Sequence, residues 1–223
     1  MPQFVHLHVH TQYSILDGQA SVQRLVDKAM ADGQPGIAVT DHGDMFGIKE
    51  FYNYVQKVKG KCKDKAAEAE ARIAALRDGT ETCADPAAEI AKCERQLEEC
   101  RRKLAFKPII GCEVYVAPGS RFERENTNSE DRYYHLVLLA ENDTGYHNLM
   151  KIVSKGFVDG FYYKPRVDYE VLETYHEGVI ALSACLAGEV QRYLARGMYE
   201  EACRSARHYE EIFGKGNFFL ELQ

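Results

Sequence analysis

Residues 6–10 read His6-Leu7-His8-Val9-His10, three histidines at alternate positions in an apolar segment. Side chains alternate faces along a strand, so this spacing would send the imidazoles to one side and Leu7 and Val9 to the other. A row of imidazoles suits a metal ion, although the same pattern also occurs in ordinary strands whose histidines are satisfied by hydrogen bonds. The company further along favours the metal. Asp17 stands in Ile15-Leu16-Asp17-Gly18, where glycine permits a sharp turn beside the carboxylate. Asp41-His42 closes an apolar run, Glu113 interrupts the apolar stretch of residues 108–116, His135 precedes Leu136-Val137-Leu138-Leu139-Ala140, and Cys185 follows Ala181-Leu182-Ser183-Ala184.

Each candidate has a chemical rationale. A carboxylate inside a stretch as apolar as that around Glu113 is costly unless paired, either with bridged cations or with an Arg or Lys. His135 begins its segment, whereas ligands in parallel α/β folds gather at the carboxyl ends of strands, so by itself it reads as an edge or capping histidine. Cys185 lies at the expected end, where a buried structural thiol is the other reading. Mixed His, carboxylate and Cys donors point to zinc, manganese or iron, and not to a calcium cage of oxygens. Such a cluster suits phosphoester hydrolysis: an ion generates hydroxide near neutral pH while neighbouring ions stabilise the phosphoryl oxygens and the leaving group. The sequence has no Gly-x-Ser-x-Gly elbow, Walker loop or dinucleotide fingerprint to suggest another chemistry.

The elements that must position these residues alternate between strand and helix. Strands are expected at Phe4–Val9, Gly36–Thr40, Ile109–Val116, Tyr134–Ala140, Val179–Ser183 and Phe218–Leu222. A helix capped by Ser21 and ended by Gly33 carries Leu25, Val26, Ala29 and Met30, and a second begins near Asp44 with Met45, Ile48, Tyr52 and Val55. Repeated βα units imply a largely parallel sheet, open or closed as a barrel. Residues 61–105 break this rhythm, being rich in Ala, Glu, Lys and Arg with turn signals at Asp78-Gly79 and Asp85-Pro86. Ile90, Cys93, Leu97, Cys100 and Leu104 alternate steps of three and four, the seam of a coiled coil, so the segment reads as an inserted helical hairpin. Self-packing and partner binding are both open to it, and Cys62, Cys83, Cys93 and Cys100 are an irregularly spaced alternative zinc set.

The 223 residues suit one domain carrying an insertion, and 45% hydrophobic with 28% charged residues describes a globular chain. No apolar run approaches the roughly 18 residues of a membrane span, and no signal peptide is visible, so a cytoplasmic protein is expected. Seven cysteines without a Cys-x-x-Cys pair read as reduced thiols. A net charge of −6 argues against nucleic-acid binding by bulk electrostatics but not against a site bridged by cations. The stretch from Ser120 to Arg132 reads as a loop bordering the pocket, with Arg121, Lys164 and Arg166 as candidate contacts to a substrate phosphate. His147, His176 and His208 lack acidic or cysteine company at ligand spacing and read as surface or packing residues.

On these residues the chain resembles the polymerase and histidinol phosphatase (PHP) domain found at the amino terminus of bacterial DNA polymerase III alpha subunits. The resemblance is carried by Phe4-Val5-His6-Leu7-His8-Val9-His10-Thr11, Leu16-Asp17-Gly18, Thr40-Asp41-His42-Gly43, Lys107-Pro108-Ile109-Ile110-Gly111 with Glu113, and His135-Leu136. The stretches more specific to the polymerase are residues 143–149, 160–166 and 182–189. It implies a distorted α/β barrel of seven strands holding up to three ions, with His8, His10 and Glu113 on the first, Glu113, His135 and Cys185 on the second, and Asp17 and His42 on the third. His6 and Asp41 match positions that are not ligands, Asp41 being suited to orient His42 or cap a helix. The family's last pair, Asp-x-His, would follow Glu221-Leu222-Gln223, so the resemblance describes an amino-terminal fragment with an incomplete barrel and cluster. Its implied function is a metal-dependent phosphoesterase, a 3′ to 5′ exonuclease assisting proofreading, in a protein that meets DNA and other replicase subunits and no membrane. A catalytically silent module that docks a proofreading subunit and a free-standing histidinol-phosphatase-like enzyme are the alternatives.

Overall fold

A computed structural model describes residues 4–124 and 132–222. The chain divides into two compact units, one of residues 1–5, 22–37 and 49–108 and the other of residues 6–21, 38–48 and 109–223.

The first unit is mainly helical. Helix α1 (Val22–Ala31) buries Val22, Val26 and Ala29, while Leu25 and Met30 of the expected stripe are only partly buried. It ends where Gly33 enters the left-handed region at φ 72°, and the Gln34 N–H reaches back to the Ala29 carbonyl at 2.9 Å. Helix α2 (Ile48–Asp78) begins four residues later than the sequence suggests. The cause is local: Asp44 Oδ1 accepts the Phe46 N–H at 3.0 Å, and this Asx turn competes with the first helical turn. From Ile48 the helix runs unbroken through position 61, so the hairpin's first arm continues α2 and does not start a separate element. Helix α3 (Pro86–Ala105) starts with Asp85 accepting the Ala88 N–H and with Pro86 in the first turn. Ala69 and Ile73 of α2 pack on Cys93 and Leu97 of α3, with Ala66 and Ile90 beside them. Among the described residues no candidate ion-binding group includes Cys62, Cys83, Cys93 or Cys100, whose thiols are free.

The sheet comprises β1 (Gly36–Val39), β2 (Lys107–Val116), β3 (Tyr134–Ala140), β4 (Phe161–Tyr162), β5 (Lys164–Val167), β6 (Val179–Leu182) and β7 (Phe218–Phe219). Its order is β4-β5-β2-β3-β6-β7 with β1 also on β2, a mixed α/β arrangement that is not closed. The expectation of a largely parallel sheet is corrected: β3 is antiparallel to both β2 and β6, whereas β5 on β2 and β7 on β6 are parallel. The reason lies in the connection, since no described helix separates β2 from β3 and a parallel neighbour needs a crossover. The short strands β4 and β5 have no counterpart in the sequence reading. The strand expected at residues 4–9 is not formed: the segment bends at His8 and is tied down instead by the Ala38 N–H on the His6 carbonyl and the Thr40 N–H on the Val9 carbonyl, each 2.9 Å.

Strands β2 and β3 are covered on both faces, which explains their near-continuous apolar sequence. On one face Cys112, Val114, Val116, Leu136 and Leu138 meet Leu149 and Ile152 of α4 (Asp143–Val158), Leu172 of α5 (Tyr169–Tyr175) and Ile212 and Phe213 of α7 (Tyr199–Phe213). Each large side chain buried there contributes about 1.5–3 kcal/mol relative to exposure. Helix α6 (Glu189–Ala195) follows the loop that carries Cys185. The opposite face of β2 and β3 carries Glu113, Tyr115 and His135. No described helix is long and apolar enough to cross a membrane.

Candidate metal centre

Glu113 is fully buried at the middle of β2 and is the hub of the site. Its Oε1 accepts a hydrogen bond from His135 Nδ1 at 2.9 Å and lies 3.3 Å from His8 Nε2. Its Oε2 lies 2.6 Å from His42 Nδ1 and 3.3 Å from His10 Nε2. Four imidazoles therefore surround one carboxylate. No Arg or Lys is paired with it among the described residues, which removes the salt-bridge reading of this buried acid.

The topology explains how residues so far apart in sequence converge. Backbone bridging pairs His42 with Glu113 in parallel, the Glu113 N–H donating to the Asp41 carbonyl and the Gly43 N–H to the Glu113 carbonyl. Gly43 needs its glycine, with φ at 69° and a Cβ that would stand 2.7 Å from the Tyr115 ring. His135 opens β3, and because β3 runs against β2, that opening sits opposite Tyr115 near the carboxyl end of β2. The local objection to His135 thus disappears with the parallel sheet on which it rested. Ala184 holds φ at 62°, a conformation uncommon without glycine, immediately before Cys185. The Cys185 thiol lies 3.5 Å from His135 Nδ1 and 3.8 Å from Glu113 Oε1.

The loop after His10 has its own anchor. Asp41, buried, accepts the Thr11 N–H at 2.6 Å, the Thr11 hydroxyl at 2.7 Å and the Ser14 hydroxyl at 2.8 Å. Ser14 Oγ in turn accepts the His42 N–H at 3.1 Å and lies 3.2 Å from His10 Nδ1. Asp41 therefore orders the segment that carries His10 and Asp17 and caps no helix. Gly18 closes this loop where a Cβ would stand 1.8 Å from the Thr11 carbonyl oxygen. Asp17 Oδ2 reaches His42 Nε2 at 3.0 Å from a half-exposed side chain.

Charge is balanced around the hub. Burial opposes ionisation of Glu113, but its contacts with His135, His42 and His8 outweigh that and hold its carboxyl well below the usual range. Burial likewise opposes protonation of His8, yet Glu113 and Glu221 push it up to about 9. His42 is also raised, because Glu113 and Asp17 overcome burial. His10 is lowered by burial together with the neighbouring His42 and His8.

Two groups of donors are close enough to share an ion: His8, His10 and Glu113, and His42, Glu113 and His135. The first coincides with the expected first set. The second brings His42 to Glu113 as well as to Asp17, while Asp17 and Cys185 stand at the edge of the groups. The donors fit a divalent transition ion in chemical type. One further observation supports the fit: His42 Nδ1 and Glu113 Oε2 are buried and 2.6 Å apart, yet neither makes a well-directed hydrogen bond. Converging lone pairs of this kind are what a cation satisfies.

The three cations expected to meet phosphate separate. Arg121 is buried, its Nη1 shared between Asp168 at 2.9 Å and Glu170 at 2.8 Å, and Arg166 Nη2 donates to the Arg121 and Glu123 carbonyls. Both guanidinium groups serve the local structure, which corrects their proposed role. Lys164 instead lines a cavity of about 480 Å³ beside the cluster, with Tyr13, Leu16, Tyr115 and Tyr133. Of the stretch 120–132, residues 125–131 lie outside the described residues. His6 is exposed and belongs to neither donor group. His147 and His176 donate to carbonyls of their own helical turns, and His208 packs edge-on to Tyr169. Ser14, Tyr115 and Glu221 are site residues the sequence reading missed. Tyr115 was recoverable from its two-residue offset to Glu113 on one strand, whereas Ser14 and Glu221 carry no local signal.

Comparison with known families matches the PHP domain over residues 6–223. The chain is 43% identical over 220 residues to the DNA polymerase III subunit alpha of Treponema pallidum, covering 99% of this chain and 15% of that protein. It is 37% identical over 225 residues to the subunit of the same name from Aquifex aeolicus, covering 99% and 15% respectively. For the Thermus aquaticus subunit the identity is 36% over 224 residues, again 99% of this chain and 14% of the relative. The chain thus spans about one seventh of the length of these curated relatives. With a match across nearly its whole length, the chain belongs to the PHP domain family.

Proposed function

We propose that the chain is the amino-terminal PHP module of a DNA polymerase III alpha subunit and that its cluster is a divalent-metal phosphoesterase centre acting as a 3′ to 5′ exonuclease. The observation that carries the chemistry is the buried Glu113 carboxylate ringed by His8, His10, His42 and His135. The names of the relatives support the parent protein, and with it DNA and other replicase subunits as partners in the cytoplasm. His8, His10, Asp17, His42, Glu113, His135 and Cys185 would hold the ions, zinc, manganese or iron by donor type. When bound, such ions activate water and neutralise charge on a phosphoryl group. The chain's own residues do the rest: Glu113 would be shared between the ions, Asp41 and Ser14 orient His10 and His42, and Lys164 offers a cation at the rim of the cavity.

A second reading, a silent module whose ions fix the fold, is favoured by one observation: the donors come from five separate segments, which an ion would tie together. Degradation of a 3′-ended DNA strand by metal-loaded wild type, compared with His10→Ala and His42→Ala variants, separates the two. Activity lost with either ligand supports the nuclease. Metal uptake without ligand-dependent degradation would replace it with the structural reading.

A further inference from the structure

The two ring nitrogens of His8 face different partners. Nε2 lies 3.2 Å from His10 Nε2 and 3.3 Å from Glu113 Oε1, among the donors that converge on the first candidate ion position. Nδ1 lies 2.8 Å from Oε1 of Glu221, a residue 213 positions away. Both side chains are nearly buried, at 8% and 13% exposure, so water competes little for this contact. The Glu221 backbone is held too: its N–H donates to Ser183 Oγ at 2.9 Å, and that hydroxyl also accepts from Gln191 Nε2 at 2.7 Å.

We infer that Glu221 is a positioning residue of the metal centre, its carboxylate keeping the proton of His8 on Nδ1 so that Nε2 presents a lone pair to an ion. The inference rests on the metal-centre reading proposed above. A neutral imidazole carries one proton, and the nitrogen that coordinates must be the bare one. With an ion on Nε2, the remaining ring proton sits on Nδ1, where the Glu221 carboxylate 2.8 Å away accepts it. Carboxylates that support ligating histidines in this way fix ring orientation and raise ligand basicity. Glu221 is not a ligand of the same ion in this geometry, because it meets the nitrogen turned away from His10 and Glu113. Ser183 and Gln191 extend the arrangement by one more layer.

The test is a zinc titration against a competing chelator, using the 223-residue chain as wild type, Glu221→Ala and Glu221→Gln. Glu221→Ala is expected to weaken the tightest site about 10- to 100-fold while the number of ions bound stays the same. Glu221→Gln, whose amide oxygen can still accept from Nδ1–H, is expected to restore most of that affinity. In zinc-loaded wild type, long-range ¹H–¹⁵N spectra should show His8 protonated at Nδ1. The inference is overturned if Glu221→Ala binds as tightly as wild type, if it loses a whole equivalent of zinc that Gln does not restore, or if loaded His8 carries its proton on Nε2. Should the Ala variant fail to fold, the Gln variant and the wild-type tautomer decide. Wild type that takes up no zinc sinks the metal-centre reading and this inference together, whereas tight wild-type binding with an indifferent Glu221 sinks this inference alone.

Discussion

Replacing Glu113 with Gln removes one charge and almost no volume from the hub of the site, which makes it a clean perturbation of the electrostatics. The carboxylate is fully buried and within 3.3 Å of nitrogen atoms on four imidazoles. In chelator-treated protein, loss of that charge leaves His8 and His42, whose protonated forms Glu113 favours, each packed on the His10 ring, with centroids 5.1 and 4.0 Å from it, and without their shared counter-charge. Removing one partner of a buried ion pair costs about 3–5 kcal/mol. The pH dependence has a definite sign. Because His8 is raised from 6.5 to about 9 in the fold, its contribution is complete below about 6.5 and is lost as the pH rises through 9. The variant's deficit should therefore be largest near pH 6.5 and shrink above pH 9, as read by urea unfolding in the presence of chelator. A deficit below about 1 kcal/mol at pH 6.5, or one that grows with pH, would refute this account of the hub.

Asp41→Ala should reduce stability by about 1–3 kcal/mol, because the Thr11 and Ser14 donors lose their buried acceptor. It should also weaken zinc binding without removing a ligand, so calorimetry showing wild-type affinity would argue against the role of Asp41 in ordering the loop. Arg121→Ala should destabilise by about 3–5 kcal/mol, since it leaves buried Asp168 without its guanidinium partner and with only the Arg121 and Val171 backbone N–H donors. Zinc affinity should be unaffected in that variant, and a matched loss of affinity would return Arg121 to the site.

The sequence displayed the donors more clearly than the scaffold that arranges them. The candidate donors His8, His10, Asp17, His42 and Glu113 stood out in the sequence because ligand chemistry needs particular residue types next to turns and strand ends, and glycines such as Gly18 and Gly43 mark the tight places. His135 was obscured by an assumption about direction: strand sequence shows burial on both faces but not whether a neighbour runs parallel, and β3 runs antiparallel to β2. Arg121 and Arg166 looked available because a cation's partners are set by the fold, and Asp168 and the Glu123 carbonyl are invisible to local spacing. Helix α2 overran the hairpin boundary because composition changes near Lys61 while the backbone hydrogen-bonding pattern does not. Glu221 illustrates the largest gap, a contact spanning most of the chain that no period or motif announces.

In the proposed centre Glu113 would be shared between ions held by the surrounding histidines. Anomalous diffraction from crystals of the manganese-loaded chain would locate those ions. The account predicts two peaks, each about 2.0–2.4 Å from a Glu113 oxygen, one beside His8 and His10 and the other beside His42 and His135. Crystals with no anomalous peak within reach of Glu113, or with manganese bound only elsewhere, would contradict it.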